Sequence, residues 1–158
     1  MTFQKLLWLF PVAVTLHNAE EAIWMPGWQL RHAAQMPLNP PRPDEIRVVL
    51  LLLTLAAFAL TSLSTRKGPE SVWTYLTFGY VIAMLINVFV PHLPAAILFR
   101  GYAPGVVTAV LINLPVMTVL AVRALRERWV DGRRAVAFGV GVPVFLGGMI
   151  MIWLTALG

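Results

Sequence analysis

Three ionisable side chains lie in a five-residue segment that directly follows an apolar stretch near the start of the chain. The segment LLWLFPVAVTL leads directly into His17-Asn18-Ala19-Glu20-Glu21. Residues three and four apart share one face of a helix, so His17 can reach either carboxylate. Imidazole and carboxylate groups transfer protons and bind zinc or iron. The spacing therefore predicts acid–base or metal chemistry.

A second polar face appears later in the chain. Side chains at three- and four-residue spacing predict one helix face: Thr77, Tyr80, Met84 and Asn87. Counting from each helix start at 1.5 Å per residue, Glu21 and Asn87 both lie about 24 Å deep. His92 follows Asn87, between two prolines that bend a helix. We expect this polar face to meet the His17 face, and Tyr102 to enter from the next helix.

The segments that carry these residues have the length and hydropathy of membrane spans. The chain is 59% hydrophobic and only 12% charged, which excludes an ordinary water-soluble domain. A span needs about 20 mostly apolar residues to cross about 30 Å of hydrocarbon. Five stretches meet this requirement: 6–24, 46–63, 72–99, 103–122 and 135–157. We predict one all-α membrane bundle over residues 1–158, with a non-helical loop after Trp24 and with 93–99 either continuing the third span or re-entrant.

The charges predict the orientation of these spans. Of the 12 lysines and arginines, eight fall on the N-terminal side of a five-span model and four on the other side. Basic residues are retained in the cytoplasm, so we expect the N-terminus inside and the C-terminus outside. The basic loop before the last span suits anionic lipid headgroups and requires no nucleic acid. The chain has no cysteine, which excludes disulfides and thiolate chemistry.

Three motifs, in order, resemble those of a known family. HNAEE at residues 17–21, a later histidine at His92 and YAPG at residues 102–105 are similar to the hallmarks of the HXXEE-domain family. These are small membrane proteins of bacteria and archaea, and the likeness covers nearly the whole chain. The resemblance implies a multi-pass protein of a prokaryotic cytoplasmic membrane. It supplies candidate positions but no reaction.

Two chemistries fit the candidate residues. In the first, His17, Glu20, Glu21 and His92 are ligands of a divalent metal, zinc or iron, with positions left open for water or substrate. In the second, no metal is bound, one of the two adjacent glutamates keeps its proton and the other shares a proton with His17. Either glutamate is then the base, and His17 or His92 is its acid or orienting partner. Asn87 and Tyr102 complete the predicted catalytic set.

The composition leaves three functions open. A lipid-facing site with these groups could isomerise, hydrate or cyclise a lipidic or small hydrophobic substrate. Intramembrane carboxylates and histidines also mark proton and cation paths. A structural or accessory subunit could use the same cluster to dock a partner helix. Glycines in the last span permit close helix contact and a homo-oligomer.

Overall fold

A computed structural model describes residues 2–35 and 41–157, and these residues form helices without strands. The helices are α1 (Phe3–Leu6), α2 (Leu9–His32), α3 (Pro43–Lys67), α4 (Val72–Asn87), α5 (Leu93–Leu98), α6 (Val106–Thr108), α7 (Leu114–Arg126) and α8 (Gly132–Leu157). A 3₁₀ turn, Ala33–Gln35, follows α2. The predicted all-α class is confirmed for the described part of the chain.

Four helical segments in the described residues are long and apolar enough to cross a membrane. They are Pro43–Lys67, Val72–Leu98, Val106–Arg126 and Gly132–Thr155. Each overlaps one of the predicted spans. α2 has comparable length, with 24 residues, but its polar segment 17–21 sets its composition apart from the other four.

The helix α2 is longer than the sequence predicted. The loop expected after Trp24 was wrong over its first part, because the helix continues through Pro26 to His32. A proline inside a helix leaves the carbonyl four residues earlier without its usual N–H partner. That carbonyl belongs to Ala22, and it accepts a hydrogen bond from Arg47 Nε at 3.4 Å. The rest of the predicted loop includes 36–40, which lies outside the described residues.

The helix α4 occupies the centre of the bundle and packs against α3, α7 and α8. Its buried face includes Tyr75, Phe78, Tyr80 and Val81. The helix α2 lies along α3, where the buried Asn18 amide donates to Leu50 O at 3.0 Å and to Thr54 Oγ1 at 2.8 Å. Hydrogen bonds of this kind join helices whose surroundings offer no water.

Two helices are interrupted by wider turns at the same end of the bundle. A π-type turn, Val88–His92, separates α4 from α5, and Val90 within it is extended, with φ −147°. A second π-type turn, Ala109–Asn113, joins α6 to α7. Residues 93–98 therefore form a separate short helix after a kink. Turns of this type often occur at functional sites.

The close packing of α4 on α8 predicts that a larger side chain at Gly79 destabilises the protein. A Cβ at this position would lie 2.6 Å from Phe138 O and 2.6 Å from Val142 Cγ2. We expect Gly79→Ala to lower the free energy of unfolding by about 1–3 kcal/mol, as overpacking does. Thermal unfolding in detergent, followed by tryptophan fluorescence, measures the loss. Gly147→Ala on α8 is the matched control, because its Cβ would meet no atom within 4 Å; equal stability of the two variants would contradict this packing.

Candidate functional site

Two buried histidines face each other where α2 passes the kink after α4. His17 is 1% exposed and His92 is 3% exposed. The π-type turn carries His92 inward, so that its ring meets His17 edge-on with 4.7 Å between centroids. Their Nε2 atoms lie 3.2 Å apart. The structure thus joins two residues separated by 75 positions in the sequence.

Glu21 and Asn87 complete this group. Glu21 Oε1 lies 3.9 Å from His17 Nε2 and 3.6 Å from His92 Nε2, and the Glu21 side chain is only 13% exposed. The Asn87 amide nitrogen lies 3.1 Å from His17 Nε2 and 2.9 Å from His92 Nε2. Polar atoms from α2, α4 and the π-type turn therefore converge on one point.

Glu20 points to the opposite side of His17. Its Oε2 accepts hydrogen bonds from Thr108 N at 2.9 Å and Thr108 Oγ1 at 2.6 Å. Its Oε1 accepts one from the Tyr102 hydroxyl at 2.8 Å. Thr108 lies in the first turn of the helix that begins at Val106, where free N–H groups and the helix dipole favour a carboxylate. Three donated hydrogen bonds match the ionised form of Glu20.

The YAPG segment brings the helix start against the two rings. Gly105 has a φ of +86°, in the region that L side chains rarely adopt. A Cβ there would lie 2.9 Å from His17 Cε1 and would also overlap the His92 ring. The Pro104 carbonyl faces His92, and the Gly105 carbonyl faces His17. The glycine is required both for the turn and for the close approach.

Tyr102 forms the outer boundary of the site, between α5 and α6. The residue is 43% exposed, yet its hydroxyl donates to Glu20. Partial burial and the neighbouring Glu20 carboxylate raise the pKa of the Tyr102 phenol above its usual value. Tyr102 therefore keeps its proton in the physiological pH range and remains a hydrogen-bond donor to Glu20.

The sequence-predicted residues fall into two groups around His17. His17, Glu21, Asn87 and His92 lie together on one side, while Glu20 and Tyr102 lie on the other. The remaining hydroxyls of the predicted polar face bond to helix backbone: Thr77 donates to Leu60 O and Trp73 O, and Tyr80 donates to Leu53 O.

Sequence reasoning missed Thr108, which contacts both Glu20 and His17. Its position three residues after the left-handed Gly105 is the only local signal. Gly105 is the N-cap of this helix, so the preference for threonine at N-caps does not single out Thr108 either. Its role becomes visible only when another helix brings Glu20 alongside.

The distances within the group suit a metal ion. Two nitrogens bound to a tetrahedral zinc at about 2.0–2.1 Å lie about 3.3–3.4 Å apart. The two Nε2 atoms are 3.2 Å apart. The ligand atoms of His17, Glu21 and His92 all lie within 4.8 Å of one another. Two imidazoles and one carboxylate are a common set for zinc and for non-haem iron.

A family model described as "protein of unknown function with HXXEE motif" matches residues 8–120. The chain belongs to the HXXEE family. It is also 29% identical over 142 residues to the uncharacterized protein YrkK of Bacillus subtilis (strain 168), covering 89% of this chain and 88% of that protein. No solved structure matches.

The family match confirms the resemblance and locates the family's shared region in the fold. Residues 8–120 contain α2 to α6, most of α7 and every site residue above. α8 lies outside the match. Within the HXXEE sequence the first and last letters of the motif, His17 and Glu21, belong to the two-histidine group, and Glu20 belongs to the helix cap.

The glycine of YAPG provides a test of this geometry. We expect Gly105→Ala to displace the His17 and His92 rings and to lower the free energy of unfolding by about 1–3 kcal/mol, from backbone strain and overlap. Thermal unfolding in detergent measures the change. Gly101→Ala is the control, because the nearest atom to its Cβ would be Phe99 O at 3.8 Å. Identical unfolding temperatures for the two variants would contradict the required close approach.

Proposed function

We propose that this protein is an integral membrane metalloenzyme that binds one divalent transition metal, zinc or iron, through His17, Glu21 and His92. The observation that carries the proposal is the convergence of two imidazole nitrogens and one carboxylate oxygen at metal-ligand spacing. Three protein ligands leave a coordination position for water or substrate, as in catalytic zinc sites. The cluster thus favours chemistry over a purely structural metal.

The charge balance supports a bound cation. Glu21 is a carboxylate with 13% exposure, placed among helices whose outer surfaces are apolar. An unpaired charge in such surroundings costs at least about 2.5–3.5 kcal/mol on insertion scales. Packing alone could be achieved with neutral side chains at a lower desolvation cost. A dication bound between two neutral imidazoles would compensate the Glu21 charge.

A metal in this site would lower the pKa of a bound water to near 7 and polarise an oxygen of the substrate. Glu20 and Tyr102 lie beyond His17, toward the surface, and could accept or donate a proton. The exposed side chains around that approach include Leu16, Ile23 and Val107, all apolar. These surroundings favour a lipidic or small hydrophobic substrate that arrives from the bilayer.

We further propose five spans, with α2 as the first, the N-terminus inside and the C-terminus outside. α2 contains 24 residues, which is about 36 Å of helix. The α1–α2 region lies beside α3 along most of its length, because Gln4 Nε2 donates to Thr65 O near one end and Arg47 Nε donates to Ala22 O near the other. The similar protein of Bacillus subtilis is bacterial, consistent with a prokaryotic cytoplasmic membrane.

The metal proposal predicts a stoichiometric ion. We expect protein purified in mild detergent to contain about one zinc or iron per chain by elemental analysis. His92→Ala and Glu21→Gln should lower affinity at least about tenfold, the loss that even supporting residues of metal sites show. His32→Ala is the control, because His32 bonds to Trp28 O at a distance from the cluster. Purified wild-type protein that neither contains nor takes up zinc or iron would exclude the metalloenzyme.

The topology can be tested with single cysteines, because the chain has none of its own. In intact cells, a membrane-impermeant maleimide should label Gln35→Cys and should not label Thr2→Cys or Arg133→Cys. After lysis all three should react, since all three positions are exposed. Labelling of both Thr2→Cys and Gln35→Cys in intact cells would mean that α2 does not cross the membrane.

A further inference from the structure

Thr108 stands between a carboxylate and an imidazole, and its single proton decides how both are bonded. The Thr108 hydroxyl oxygen lies 2.6 Å from Glu20 Oε2 and 3.0 Å from His17 Nδ1. A hydroxyl group has one proton to donate and two lone pairs that accept. The Gly105 carbonyl oxygen is a third neighbour of the hydroxyl, at 3.2 Å, and can only accept. The hydroxyl can therefore bond to His17 either by donating its proton to Nδ1 or by accepting a proton from it.

The hydrogen bonds of Glu20 fix the direction. Glu20 already accepts from Tyr102 OH and from Thr108 N, as an ionised carboxylate does. The 2.6 Å distance lies in the range of a hydroxyl donating to a carboxylate oxygen. The Thr108 proton is thus directed to Glu20, and the remaining bond requires His17 Nδ1 to carry a proton and donate it to Thr108.

The contacts on the other side of the His17 ring are compatible with this tautomer. Asn87 directs its amide nitrogen to His17 Nε2 at 3.1 Å and to His92 Nε2 at 2.9 Å. An amide group has two protons, one for each of these nitrogens. In this arrangement each nitrogen offers a lone pair, and the two lone pairs, on atoms 3.2 Å apart, face the same point, as a shared cation requires.

We propose that Thr108 is a positioning residue that holds His17 in the tautomer with the proton on Nδ1 and a free lone pair on Nε2. In this tautomer the ring is ready to bind a cation beside Glu21 and His92 without moving a proton. The metal-binding consequence rests on the proposed function, whereas the tautomer itself does not.

The tautomer can be read directly in metal-free protein. The chain contains three histidines, so ¹⁵N-histidine labelling gives three ring systems, assigned with His32→Ala and His92→Ala. Nitrogen shifts separate a protonated ring nitrogen from a bare one. In the wild type we expect His17 to show a protonated Nδ1 and a bare Nε2. A protonated Nε2 in metal-free wild-type protein would overturn the proposal without any variant.

Variants then test whether Thr108 is the cause. Thr108→Val keeps the shape but removes the hydroxyl acceptor and leaves the Gly105 carbonyl facing the ring, so we expect a larger share of His17 to carry its proton on Nε2, toward Glu21. Thr108→Ser should retain the wild-type tautomer. An unchanged tautomer in a folded Thr108→Val protein would assign the effect elsewhere and refute the role of Thr108.

Titration with Zn²⁺ connects the tautomer to the metal site. We expect Thr108→Val to weaken zinc binding by about 10- to 100-fold and Thr108→Ser to restore it. Thr118→Val is the control for losing a helical hydroxyl, since Thr118 is exposed and bonds only to Leu114 O. If the wild type binds no zinc, the proposed function fails while the nitrogen shifts still decide this inference. If the wild type binds zinc and folded Thr108→Val binds it equally well, the inference fails alone.

Discussion

The burial of the Glu21 carboxylate is the constraint on which the rest of the site depends. A carboxyl group in such an enclosed position requires a proton, a hydrogen-bond partner or a cation, and the structure places two imidazole rings within 4 Å of it. The helix α2 supplies one of these rings, His17, and the other is His92 in the turn after α4. The kink that carries His92 inward is therefore as necessary to this arrangement as the motif itself.

Irregular backbone is concentrated where it can surround polar groups. The two π-type turns and the left-handed Gly105 all border the histidine pair, while the long central part of α3 remains a continuous helix. In a membrane, backbone that departs from the helix is tolerated where it is enclosed by protein. The polar site and the irregular backbone therefore occur in the same place, because both require surroundings formed by protein.

Adjacent glutamates occupy different environments because successive residues on a helix point about 100° apart. Glu21 turns toward the two Nε2 atoms, and Glu20 turns toward the helix start at Val106. One carboxylate lies beside two imidazole nitrogens, and the other receives N–H and O–H donors. The repeated acidic residue in the HXXEE motif is therefore explained by two distinct contacts on either side of one histidine.

The sequence by itself determined the apolar spans, because length and hydropathy are local properties of a segment. It also placed His17 on one helix face with Glu20 and Glu21, because helical periodicity is local too. It also supplied the three family motifs. Only the tertiary structure decided which glutamate meets His92, that Thr108 links Glu20 to His17, and that α2 continues past Pro26. These features depend on how neighbouring helices are rotated and on partners that are distant in sequence, such as Arg47 for the Ala22 carbonyl. The periodicity along one helix contains no information about either.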